Sequence, residues 1–163
     1  MSGLKDGLGD TSGEGLSVAL EDALTGPGTI TVEDTRGRQA EVDVIDLDRL
    51  GVEVERVRVK TPAAGDLAGR ARALASSLRP SGERLVPVEV DERLGGGVLR
   101  TAREDIRGRR FFQVDLDPDG AEFGRYRVDD AGDRHPERFT VTREQLGQIV
   151  DALSHEPLNV DES

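Results

Sequence analysis

Hydrophobic positions along this chain switch between two spacings, and the switches outline its elements. Leu16, Leu20, Ala23 and Leu24 recur at helical spacing in LSVALEDAL. That pattern predicts a short helix ended by Gly26-Pro27-Gly28. The period then drops to two. Ile30 and Val32 alternate with polar neighbours, and Ala40, Val42 and Val44 do so beyond the turn Thr35-Arg36-Gly37-Arg38. Two alternating runs around a turn predict a hairpin with one buried face.

The next strand breaks this rule. In GVEVERVRV, Val52 and Val54 are even-numbered, whereas Val57 and Val59 are odd. Side chains alternate strictly along a regular strand, so a flat strand cannot turn all four valines to one side. A bulge near Glu55-Arg56 would restore the phase. AEVDVIDL slips in the same way, with Ile45 and Leu47 out of step with Val42 and Val44. Two neighbouring slips predict paired strands that bend together into a curved sheet.

Helical spacing returns after Thr61-Pro62, where Thr suits a cap and Pro the first helical position. Ala64, Leu67, Ala68, Ala71, Leu74, Ala75 and Leu78 form the apolar stripe, and Arg70, Arg72 and Arg79 fall outside it. Pro80 and Gly82 end this helix. LVPVEV, VLRTARE, RRFFQVDL and EFGRYRV then read as strands. In the first of them Val86, Val88 and Val90 are in phase, and Pro87 suits a sheet edge. VTREQLGQIVDAL is the last helix. Thr142 and Gln145 make a capping box, Val141 can staple onto Leu146, and Leu146, Ile149, Val150 and Leu153 form its stripe.

The order α-βββ-α-ββββ-α predicts one α+β domain over residues 15–156. Its expected architecture is a single curved, mostly antiparallel sheet of six to seven strands, with two main helices packed against it. The Gly-rich segment 1–14 and the acidic segment 157–163 are expected to be loose tails.

Charge changes what such a domain is expected to meet. The 163 residues carry a formal net charge of −11. Like charges repel, so nucleic acid and anionic membranes are disfavoured partners. Residues 61–110 alone carry more basic than acidic groups, most densely at Arg107-Gly108-Arg109-Arg110-Phe111-Phe112. The absence of cysteine excludes disulfides and thiolate chemistry. With no signal-peptide pattern and no apolar run near the roughly 18 residues of a membrane span, a soluble cytoplasmic protein is expected.

Candidate chemistry is sparse. DLDPDGAEF places Asp115, Asp117, Asp119 and Gly120 where a calcium loop would have its first ligands and its glycine. The position of the bidentate Glu is occupied by Tyr126, and both flanks read as strands, so a hairpin turn is expected. Asp129-Asp130-Ala131-Gly132-Asp133 reads as a second acidic turn. His135 and His155 lack zinc spacing, and Ser154-His155-Glu156 are sequence neighbours that cannot converge as a triad. Gly95-Gly96-Gly97 lacks the residues that complete a phosphate loop. No catalytic, cofactor-binding or metal-binding residue is assigned, and no cofactor is expected.

Two functions are compatible with these features. The first is a non-enzymatic acidic protein-interaction domain, adaptor or chaperone-like, whose partner is another protein or a second copy of the chain. Arg107, Arg109 and Arg110 are its candidate contacts. The alternative is a small-ligand or metal-binding protein, enzyme or not, using the Arg-rich zone 100–110 and the acidic hairpin 115–120.

Overall fold

The computed structural model describes residues 15–61, 66–93, 95–101 and 110–154. The expected tails 1–14 and 157–163 lie outside them. Helix α1 spans Leu16–Ala23, α2 Leu67–Ser77 and α3 Arg143–Ser154. The strands are β1 Gly28–Glu33, β2 Gln39–Leu47, β3 Val52–Lys60, β4 Leu85–Asp91, β5 Gly96–Thr101, β6 Arg110–Asp117, β7 Gly120–Val128, β8 Arg134–Glu137 and β9 Phe139–Val141. No described helix is long and apolar enough to cross a membrane.

The α+β class and the antiparallel pairing hold. The expected curved sheet of six to seven strands does not: among the described residues the sheet has nine strands and it branches. Its main path runs β1-β2-β3-β7-β6-β5-β4. β3 pairs with β7 through Val57–Lys60 and with β9 through Val52–Val54. β7 in turn pairs with β3 through Gly120–Phe123 and with β8 through Arg125–Val128. The two central strands therefore diverge, and β8 and β9, separated only by Arg138, fill the fork. Strands of four and three residues, one containing Pro136, are too short to leave a period in the sequence.

The phase slips are register shifts. The β2–β3 ladder passes over Glu55 on one strand and Ile45 on the other. An extra residue on each side lets Val52, Val54, Val57 and Val59 all be fully buried. The cross-strand row Val42, Val57, Phe123, Val114 and Leu99 continues this face. The row shares one core with Leu16 and Leu20 of α1, Leu74 of α2, and Leu146 and Val150 of α3. The three described helices thus cover the same face, and each fully buried Leu or Val contributes about 1.5–3 kcal/mol. Among the described residues the other face is open, with no helix over it, and it carries polar side chains such as Arg58, Glu122, Asp115 and Arg100, as antiparallel sheets allow.

Two local expectations need correction. α2 is capped by Asp66, whose carboxylate accepts from the Gly69 N–H at 2.8 Å, not by Thr61. Thr61 is buried at the end of β3, and Pro62 and Ala64 lie outside the described residues. β4 is an edge strand as expected, but its valines are not in phase. A register shift between Pro87 and Glu89 makes Val88 an extra residue. The capping box of α3 is present: the Thr142 N–H donates to Gln145 Oε1 at 2.9 Å, and the Gln145 N–H donates to Thr142 Oγ1 at 3.0 Å.

Candidate functional site

Of the three candidate arginines, Arg107 and Arg109 lie outside the described residues. Arg110 opens β6, and its Nε lies 3.1 Å and 3.2 Å from the two carboxylate oxygens of Glu137. Arg125 Nε and Arg127 Nε approach the same carboxylate at 3.8 Å and 3.4 Å. One glutamate on β8 thus ties together residues of β6 and β7. Arg110 serves the sheet in this arrangement.

Phe111 and Phe112 are split between the two faces, as alternation requires. Phe111 stacks on Tyr126 on the open face, with ring centroids 6.0 Å apart. Arg100 lies over Phe111 at 4.8 Å and Arg134 over Tyr126 at 4.7 Å. Gln113 sits between them: its Oε1 accepts from Arg100 Nε at 2.7 Å and from Arg134 Nη1 at 3.1 Å. Its amide donates to Asp115 at 2.9 Å. Burial, then the charges of Asp115 and Glu122, push the Tyr126 hydroxyl above its ordinary value. Both guanidiniums are engaged by neighbours inside the sheet, which reduces what they offer an anionic ligand.

The acidic hairpin is equally committed. Asp117 Oδ1 accepts from the N–H groups of Asp119 and Gly120 at 2.8 Å each, closing the turn. Its other oxygen meets Arg58 at 3.2 Å. Burial opposes ionisation of Asp117, but the Asp119 N–H, Arg58 and the Gly120 N–H outweigh it and hold the carboxyl below its usual range. Arg70, 8% exposed, donates to the carbonyl oxygens of Asp117 and Gly120. Gly120 does not adopt a positive φ. It is required because a Cβ would overlap the Val59 carbonyl oxygen of β3.

Asp129 organises the second acidic turn through the N–H groups of Ala131 and Asp133, and faces His135 Nε2 at 2.7 Å. The His135 contact comes first among the causes that lower its pKa. Among the described residues no three acidic or histidine side chains are arranged to hold a metal ion. Gly96 and Gly97 lie within β5, where a Cβ on Gly97 would press on the Glu89 carbonyl oxygen. The Ser154-His155-Glu156 group extends outside the described residues.

Two features were not expected from the sequence. The first is a cavity of about 350 Å³ between the end of α2, the following turn and α3. Phe112, Phe123 and Phe139 form its floor, with ring centroids 5.4–5.5 Å apart. Leu78 and Ile149 wall it, and Ser81, at φ 51°, stands at its rim. These rings come from three strands that meet only at the fork, so no local pattern announces them.

The second is the edge itself. Among the described residues β4 ends the sheet path, and Val86, Val88 and Val90 are 39%, 56% and 38% exposed along it. A free strand edge carrying apolar side chains is a template for another strand. Compared with known proteins, the chain matches no family model, no curated protein and no solved structure.

Proposed function

We propose that the chain is a non-enzymatic protein-interaction domain that receives an extended segment of a partner along β4. One observation carries this reading: three exposed valines on a strand that has no partner on its outer side among the described residues. Strand addition obtains affinity from main-chain hydrogen bonds and selectivity from alternate side chains. The described groups that could have served the ligand-binding alternative, Arg100, Arg110, Asp117 and Asp129, are each bonded within the fold. A peptide array of β-branched octamers, probed with wild-type chain and with Val88→Lys, tests the proposal. Extended apolar peptides are expected to bind the wild type and to lose the variant. A set of hits that ignores the substitution would sink it.

A second reading, a carrier of a small apolar ligand, rests on the cavity over Phe112, Phe123 and Phe139. It calls for one-to-one binding of an apolar fluorescent probe that Gln148→Trp, at the cavity wall, abolishes.

A further inference from the structure

We infer that the strand received by β4 is β4 of a second copy of this chain, paired antiparallel about a two-fold axis beside Val88. This inference rests on the proposal that β4 is the interaction edge, and it names the occupant.

Charge is the first argument. Glu83 and Arg84 offset one another just before β4, while Glu89, Asp91 and Glu92, followed by the single cation Arg93, leave its far end net acidic. Parallel pairing of two such strands would set like charges side by side. Antiparallel pairing keeps the two acidic ends apart and brings Arg84 of each copy toward the acidic end of the other. Arg84 and Glu92 are both exposed.

Face matching sets the register. Leu85 pairs with Thr101 and Val90 with Gly97, both on the helix face, whereas Val86 and Glu89 pair with Arg100 and Val98 on the open face. A sheet that continues across the axis must keep each face together. That condition opposes Leu85 to Val90, Val86 to Glu89 and Arg84 to Asp91, with Val88 next to Pro87 of the second copy at the centre. The extra residue in each copy meets its counterpart region there. β2 and β3 already pair in this way, each carrying one unmatched residue. The centre is also where Pro87, without an N–H, costs the ladder least.

The other edge, β1, is a poorer partner. Its Ile30 and Val32 are partly buried against the core. Asp34 beyond it is bonded to Arg38 at 2.7 Å. Head-to-tail pairing of β4 with β1 would also give open-ended chains, whereas two β4 edges close at a dimer. An interface built on one seven-residue strand falls below the standard size, so an affinity of about tens of micromolar is expected.

Sedimentation equilibrium from ~1 µM to ~500 µM, a range that brackets this affinity, tests the inference. It is paired with hydrogen exchange at low and high concentration. The expected result is a monomer–dimer equilibrium in which protection of the Val86–Val90 amides rises with concentration. Val88→Lys, which sets two ammonium groups together at the axis, is expected to leave only monomer. Arg84→Glu should weaken the dimer about tenfold or more through two like-charge contacts, while Arg36→Glu, a matched change on an exposed turn, leaves it unchanged. Urea midpoints of all three variants confirm that each folds.

A chain that stays monomeric at the highest concentration overturns the inference. So does a dimer indifferent to Val88→Lys, or a ladder of higher oligomers. Should the wild type be monomeric yet capture array peptides in a Val88-dependent way, the second copy fails and the β4 interaction edge stands. Should it be monomeric and its peptide capture ignore Val88, both fail.

Discussion

Arg70 Nη2 lies 2.7 Å from the carbonyl oxygen of Gly120, and this bond fastens α2 to the tip of the acidic hairpin. Nη1 of the same side chain reaches the Asp117 carbonyl at 2.8 Å. Burial depresses the Arg70 pKa, and the Asp117 charge partly restores it. A guanidinium can be held here because its fork matches two acceptors on either side of one turn.

Removing that fork should be costly. Arg70→Met leaves both carbonyls without their donor, and a loss of about 2–4 kcal/mol is expected. Arg70→Lys should recover less than half of it, since an ammonium cannot present the planar fork. Urea denaturation midpoints decide this; a near-neutral Arg70→Met would mean that the hairpin tip is held elsewhere.

Gly120 and Gly132 separate two reasons for glycine. At Gly120 the obstacle is space: a Cβ would meet the backbone of Val59 and Lys60. At Gly132 space is open but φ is +89°. Gly120→Ala should therefore cost about 3 kcal/mol or more by displacing a strand, and Gly132→Ala about 1–2 kcal/mol through backbone conformation alone. Thermal melts that reversed this order would refute the close approach of the hairpin to β3.

Acid should loosen the hairpin in a defined direction. The folded pKa of Asp117 lies below its ordinary value. The unfolded chain therefore binds this proton first as pH falls. The stabilisation is complete above the unfolded carboxyl value of about 3.9 and is lost as pH drops through the folded value. Asp117→Asn keeps an oxygen for the two N–H groups but removes the titration, so its stability should fall less steeply between about pH 5 and pH 2. The same carboxylate already has internal donors on both oxygens, and calorimetry with calcium is expected to show no micromolar site. Micromolar affinity would overturn the structural role assigned to the turn.

The aromatic floor should hold the fork closed. Phe139 is 4% exposed and meets Phe112 and Phe123 edge-on. Phe139→Ala is expected to cost about 3–5 kcal/mol. Faster hydrogen exchange at Phe139–Val141 than elsewhere in the sheet would show that β9 has detached from β3. Uniform exchange would assign the loss to the core as a whole.

Much of the architecture was legible because it depends on neighbours in sequence. Thr142 and Gln145 lie one helical turn apart, so their reciprocal bonds follow from spacing. Val52, Val54, Val57 and Val59 reveal a bulge because burial on one face demands strict alternation, and its violation has few solutions. Val88 misled for the converse reason. A bulge at an exposed edge is not required by any buried face, so three valines in phase looked like a regular strand. Arg70 misled too: it stands off the apolar stripe of α2, yet the hairpin tip closes over it.

For the candidate site, the residue types were visible but their engagement was not. Asp115-Leu116-Asp117-Pro118-Asp119-Gly120 could be recognised as a turn from the Pro-Asp-Gly sequence and its strand flanks. That Gly120 is needed for contact with Val59, and that Arg70 and Arg58 occupy the turn's acceptors, could not. The sequence by itself determined which segments are helices, where two strands slip, and that the acidic motif is a turn, because these follow from periodicity and local hydrogen bonding. Only the tertiary structure decided the fork, the aromatic cavity, the partners of each arginine and the exposed edge at β4. Those depend on which distant carbonyls, rings and carboxylates are brought within a few ångströms, and no spacing along the chain encodes that distance.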